Sequence, residues 1–174
     1  MSTDGFTAFD AALGRVAAEA QNPQGIRDAG NFILAAAKLR CSGFRLTSGE
    51  LRNSLGMVVQ NDTDGLFAHV GTNKEYAPYV EFGTGPKGAA HHSGISPDVR
   101  PTYRLTPWWL HESMIDPQVP QVYNWYSIET EAGKFYQVSG QPAHPFLYPA
   151  FADNEKEIKD IIAGGFEKAV EGNK

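Results

Sequence analysis

At both ends of the chain apolar residues recur at helical spacing, while the middle holds short apolar runs separated by turn residues. Phe6, Phe9, Leu13, Val16, Ala17 and Ala20 share one face of an amphipathic helix over 5–20. Asn22-Pro23 then supplies an N-cap followed by proline at the first helical position, where a missing N–H costs nothing. The helix this predicts carries Ile26, Ile33, Leu34 and Ala37 inward and ends near Cys41-Ser42-Gly43. Thr47 and Glu50 have the spacing of a capping box and start a short helix containing Leu51 and Leu55. Near the C-terminus Ile158, Ile161, Ile162, Phe166, Ala169 and Val170 form a helical stripe. Asp153, Glu155 and Glu157 suit the positive end of that helix's dipole. Gly164-Gly165 is expected to weaken its middle by about 1 kcal/mol per glycine relative to alanine.

Strands are expected in the interior. Met57–Gln60 and Leu66–Val70 flank Asp62-Thr63-Asp64-Gly65, a hairpin signal because Asp-Gly readily takes positive φ. A second hairpin is predicted from Gln121–Thr130 to Phe135–Val138, turning at Glu131-Ala132-Gly133-Lys134. Residues 83–107 are rich in Gly, Pro, Ser and His, have no period and read as a loop. The order of elements defines an α+β fold: N-terminal helices, an antiparallel sheet of two hairpins with a long inserted loop, and a C-terminal helix packed on the sheet. The chain reads as a single domain over 1–174, with an excursion over 83–120.

Composition narrows the class. Of 174 residues 41% are hydrophobic and 20% charged, a globular balance rather than a disordered one. No apolar run is long enough for a membrane span, and Met1-Ser2-Thr3-Asp4 does not open like a signal peptide, so no membrane partner is expected. Cys41 stands alone, which excludes an intrachain disulfide and fits synthesis in a reducing cytoplasm. Net charge is -5 and uneven: residues 1–60 carry six basic and five acidic side chains, residues 61–174 nine basic and fifteen acidic. Without a basic cluster, sequence-specific DNA binding is not expected, although an acidic wall would let DNA slide past without sticking.

The matches to catalytic motifs are isolated ones. Gly83-Thr84-Gly85-Pro86-Lys87-Gly88 fits GxGxxG, but a dinucleotide site needs a strand before it and a helix after it. A sharp turn that only glycine permits is the simpler reading. His91-His92 has no second pair at ligand spacing, and His111-Glu112 opens a zinc motif whose second histidine position is Ile115. No catalytic residue, cofactor or metal ligand is assigned, and the chain does not read as an enzyme. The alternative is a small hydrolase or nucleotide-binding enzyme using the Gly83–Gly88 loop or His91 and His92.

Aromatic residues are the more informative group. Tyr76, Tyr79 and Phe82 recur every three residues, either as core or as the face that sets a turn and directs the loop toward a neighbour. Glu81 lies among them and needs a partner if buried; Arg52, able to grip a carboxylate bidentately, is the expected one. Trp108, Trp109, Tyr123, Trp125, Tyr126, Phe135 and Tyr136 crowd the second hairpin. Because aromatics are enriched where proteins meet, at least one of Trp108, Trp109 and Trp125 is expected in a subunit interface.

Three blocks carry a resemblance. Thr47-Ser48-Gly49-Glu50-Leu51-Arg52-Asn53-Ser54-Leu55, Tyr76-Ala77-Pro78-Tyr79-Val80-Glu81-Phe82-Gly83-Thr84-Gly85 and Pro142-Ala143-His144-Pro145-Phe146-Leu147-Tyr148-Pro149-Ala150 occur in that order. Together they resemble the neck and tail-completion proteins of tailed bacteriophages. The resemblance implies a virion structural protein of the head–tail junction, made in the host cytoplasm. It would form or join a ring, six-fold by match to the tail, between connector or head-completion proteins and tail-terminator or tail-tube proteins, with genomic DNA passing by. Gly83 and Gly85 would shape the turn of the second block. Pro145 and Pro149 bracket Phe146-Leu147-Tyr148, and Phe146 and Leu147 are expected to anchor the C-terminal helix on the sheet. The stretch from Gly85 to Pro142 is longer than the family's short form, with Pro97 to Pro120 as the extra piece.

Overall fold

A computed structural model describes residues 24–41, 49–62 and 65–171. The helix expected over 5–20, the Asn22-Pro23 cap, the Thr47 end of the capping box, Thr63-Asp64 of the hairpin turn and the side chains of Ala169 and Val170 lie outside the described residues.

The first described helix, α1 (Gln24–Arg40), ends one residue before Cys41. It is followed by α2 (Glu50–Ser54), β1 (Gly56–Asp62) and β2 (Gly65–Gly71). Gly49 in the left-handed region precedes α2, whose N-cap residue makes no side-chain hydrogen bond. The β1–β2 hairpin pairs Gly56 with Gly71 through Asp62 with Gly65, as the Asp-Gly signal predicts. Two short helices follow, α3 (Ala77–Phe82) and α4 (Gly85–Ala90). Next come β3 (Trp108–His111), a 3-10 turn (Glu112–Met114), α5 (Gln118–Val122), β4 (Ser127–Thr130) and β5 (Gly133–Val138). The chain ends in α6 (Tyr148–Ala152) and α7 (Glu155–Glu171).

The α+β class holds, with the strands divided between two antiparallel sheets rather than one: β1–β2 alone, and a three-stranded sheet in the order β3–β5–β4. The second hairpin is also shorter than expected. Gln121 and Val122 belong to α5, and the paired strand begins at Ser127. Thr130 faces Gly133, so the turn contains only Glu131 and Ala132. Trp108–His111, expected in no strand, forms the other edge of this sheet against β5. Within the expected loop over 83–107, α4 forms despite its glycines, with Pro86 in its first turn where proline is tolerated.

The C-terminal helix does not rest chiefly on a sheet. Its main contact is α1, which in turn lies on the β1–β2 hairpin. Glycines make both approaches possible. A Cβ on Gly165 would fall 2.5 Å from Gly25 Cα, so the two backbones cross in direct contact. A Cβ on Gly30 would fall 2.8 Å from Ala68 Cβ on β2. Gly165, read from sequence as a weakness, is therefore what lets α7 dock. Of the α7 stripe, Ile158 is buried and Ile161 and Ile162 half-buried, while Phe166 is 45% exposed.

One buried cluster joins Ala37 and Cys41 with Leu51 and Leu55 of α2, Ala77 of α3, and Phe146 and Ala150 around α6. Ile33, Leu34, Val80 and Leu147 pack around it. All three sequence blocks thus converge on one core.

Candidate assembly site

Two of those blocks are joined by hydrogen bonds as well as by packing. Glu81, on the buried side of α3, is only 5% exposed. Its carboxylate accepts from the backbone N–H groups of Phe146 at 2.7 Å, Leu147 at 3.0 Å and Tyr148 at 3.0 Å. Pro145 sets the chain just before these three donors, and Pro149 sits inside the first turn of α6, leaving their N–H groups without helical partners. A carboxylate with several backbone donors is among the stronger hydrogen-bonded arrangements, which makes its burial tolerable. The expected guanidinium is not the partner. Arg52 is exposed, and among the described residues no ion pair links it to Glu81.

Beyond Glu81 the two blocks run together like a seam. Thr84 N donates to Gln141 O at 2.9 Å, and Gln141 N donates back to Thr84 O at 3.1 Å. Lys87 N donates to Ser139 O, His144 N to Val80 O, and the Gln141 side-chain amide to Tyr79 O. Gly83 has φ +76°, and a Cβ there would fall 2.6 Å from Ala143 N. Gly85 has φ +63°, and its Cβ would meet the Trp108 ring at 2.8 Å. The glycines of the GxGxxG match are therefore spent on a turn and a close approach. A helix, α3, precedes this turn where a dinucleotide site needs a strand. The backbone N–H groups of Thr84, Lys87 and Gly88 already donate to protein carbonyls, so none of the three is free to hold a phosphate.

From the seam the chain makes an excursion, leaving at Thr84 and returning at Gln141. At its root lies an open groove of about 470 Å³ between α3 and the segment 101–104, floored by Trp108. Tyr103 ties this segment back, its hydroxyl donating to Phe82 O at 2.7 Å. The Arg104 guanidinium lies over the Trp108 ring, 5.4 Å from its centroid. Beyond the groove lies the three-stranded sheet, an arm whose strands contact chiefly one another and the 3-10 turn. On one face Trp109 and Tyr126 lie with ring centroids 6.0 Å apart, 41% and 65% exposed, beside exposed Ile128. Trp125 is half-buried and stacks on exposed Tyr123 at 6.5 Å.

The aromatic candidates thus separate. Tyr76 and Tyr79 are exposed, against a core role for those two, whereas Phe82 is half-buried. Phe146 is fully buried and Leu147 half-buried, and the core they join is helical rather than the face of a sheet. His91 and His92 do not converge: His92 Nδ1 lies 3.2 Å from Gly88 O, while His91 takes part through its backbone. Among the described residues no group of three or more His, Cys, Asp or Glu side chains is placed to hold a metal. Among them, too, no helix is long and apolar enough to cross a membrane. Sequence reasoning missed the donors to Glu81, because backbone N–H groups carry no residue signature. The signal available was Pro145 followed by three non-proline residues and Pro149.

Cys41, fully inside the core, has its thiol pKa pushed up to about 11. Burial is the main cause and the Glu81 charge adds to it, while Arg52 opposes both. A neutral thiol in such a place is packing, not a nucleophile.

Residues 7–83 match a protein-family model described as "Bacteriophage HK97-gp10, putative tail-component". The matched span includes the first sequence block and the second as far as Gly83, and stops short of the arm and of Pro142–Ala150. No curated protein and no solved structure matches the chain. The match is consistent with a tailed-phage neck and tail protein family, and it suggests a structural role in the virion, in contact with other virion proteins, rather than an enzymatic one.

Proposed function

We propose that this protein is a non-enzymatic adaptor of the head–tail junction, a subunit that forms or joins a ring between the connector and the tail tube. One observation carries it: an arm rooted in the seam between two of the family-like blocks and presenting Trp109, Tyr123, Tyr126 and Ile128 to solvent. Exposed aromatic rings set beside one another on one element, as Trp109 and Tyr126 are, make a surface suited to binding protein. The core of α1, α2, α3 and α6 serves as a rigid base that fixes where the arm points. Residues 1–174 act as a single domain with the arm inserted into it. Its partners are copies of itself, head-completion or connector proteins and tail-terminator or tail-tube proteins, with genomic DNA passing but not specifically bound.

The test is sedimentation of the purified protein alone, with tail particles and with connector, beside a DNA titration. Rings or particle binding with negligible DNA affinity are expected. A monomer that ignores both partners would contradict the proposal.

A further inference from the structure

The two ends of the excursion carry opposite charge. From Gly85 to Pro107, along the root, stand Lys87, Arg100 and Arg104 against Asp98 alone. From Trp108 to Val138, along the arm, stand Glu112, Asp116, Glu129 and Glu131 against Lys134 alone. None of these seven root cations and arm acids takes part in an ion pair among the described residues. Each of the seven is exposed.

Their placement is as informative as their sign. The groove at the root is built from Pro78, Tyr79, Phe82, Pro101, Arg104 and Trp108. Trp108 is also the first residue of β3, which runs away from the groove to His111. There the His111 Nε2–H donates to Ala132 O at 3.0 Å, and the Glu112 carboxylate accepts from Lys134 N at 3.1 Å. These bonds hold the acidic Glu112–Asp116 segment beside the Glu129–Glu131 turn as one tip, with exposed Met114 on it. The three residue steps of β3 alone put tip and groove roughly 10 Å apart along one strand. A tip at the far end of a hydrogen-bonded sheet cannot fold back into the groove at its own root.

We infer that the acidic tip of one copy seats in the aromatic groove at the root of the next copy's arm, where Arg104 lines the wall and Arg100 stands next to the lining Pro101. This contact rests on the assembly role proposed above and gives it a specific surface. The flexible Met114 side chain of the tip would meet the aromatic and proline walls, while Glu129 and Glu131 meet Arg100 and Arg104. Because the two surfaces differ and lie at opposite ends of the arm, the contact is heterologous, the kind that closes into a ring when the rotation permits. Opposite charge steers the encounter and disfavours tip against tip.

The experiment is a charge swap read by sedimentation velocity. One variant carries Arg100→Glu and Arg104→Glu, the other Glu129→Lys and Glu131→Lys; all four positions are exposed, and thermal melts check that both variants fold. Each alone should associate roughly tenfold or more weakly than the native protein. An equal mixture should recover association, because every reversed tip then finds a reversed groove. In addition, Glu131→Cys on one copy and Thr102→Cys on another should be joined by a short bismaleimide. If the native protein associates while the reversals change it by less than about twofold and no such cross-link forms, the contact is wrong and the assembly role stands. If the native protein is monomeric at all concentrations, the contact is wrong; incorporation into virus particles then decides whether the assembly role fails with it.

Discussion

Glu81 Oε2 lies 2.7 Å from the backbone nitrogen of Phe146, across 65 residues of chain, and so fixes the second family-like block to the third. The same carboxylate holds Leu147 and Tyr148, so a single side chain satisfies three donors at the start of α6. Glu81→Ala would leave those N–H groups short of an acceptor in a buried place. We expect a loss of roughly 3–5 kcal/mol in denaturant unfolding, and a smaller loss for Glu81→Gln, which keeps one acceptor oxygen. A loss under about 1 kcal/mol for the alanine variant would mean that water replaces the carboxylate freely.

Gly164 and Gly165 should respond in opposite directions to the same change. A Cβ at Gly164 meets nothing within 4 Å, so Gly164→Ala should gain up to about 1 kcal/mol of helix propensity. Gly165→Ala gains the same propensity but drives its methyl into Gly25 on α1, for a net loss of about 1–3 kcal/mol. Thermal melts of the two variants side by side check this, and equal shifts would show that α7 does not dock at that crossing.

These glycines also mark what the sequence made legible. Helical spacing was enough to find α1 and α7, and Asp-Gly enough to find the β1–β2 hairpin, because those signals are local. Sequence could not show that Gly165 is a contact, since its role depends on Gly25 some 140 residues away. Trp108–His111 is too short for an alternating pattern to declare a strand. The strand expected from Gln121 begins only at Ser127, because Pro117 and Pro120 favour a helical turn over Gln118–Val122. At the candidate site, the importance of Glu81, Gly83, Gly85 and Phe146 was legible. The partner of Glu81 was not, nor was the separation of root and tip charge, which appears only once β3 orients the arm.

Gly83→Val should cost about 1–3 kcal/mol in backbone strain alone, because φ +76° is unfavourable for a β-branched residue. Its Cβ would also collide with Ala143 N and pry the seam apart. Both stability and particle assembly should fall. An unchanged melt with intact assembly would mean that the turn needs no glycine.

Alkaline pH offers a separate check on the core. The Cys41 thiol ionises near 9.0 when free and near 11 in the folded protein. Between those values the unfolded chain releases a proton that the native state keeps, so the thiol's stabilisation is whole below pH 9.0 and is lost as pH rises toward 11. The slope approaches about 1.4 kcal/mol per pH unit inside that window. Urea midpoints of native protein and Cys41→Ala, compared from pH 8 to pH 10, should converge as pH rises. Parallel curves would place the thiol in contact with solvent.

Truncating the third block tests the core directly. Phe146 is 0% exposed, and Phe146→Ala should cost about 3–5 kcal/mol; Leu147→Ala, half-buried at the edge of the same cluster, should cost less, about 2 kcal/mol. Chemical denaturation measures both. A Leu147 loss exceeding that of Phe146 would invert the packing order described above.

The most direct measurement of the central claim is an electron cryo-microscopy reconstruction of the assembled virus particle in which this subunit is located. The adaptor role requires a ring of this chain at the head–tail junction, with its aromatic arms buried against neighbouring subunits and no specific hold on the DNA. A particle that lacks the protein, or that carries it elsewhere with the arms facing solvent, would contradict that role.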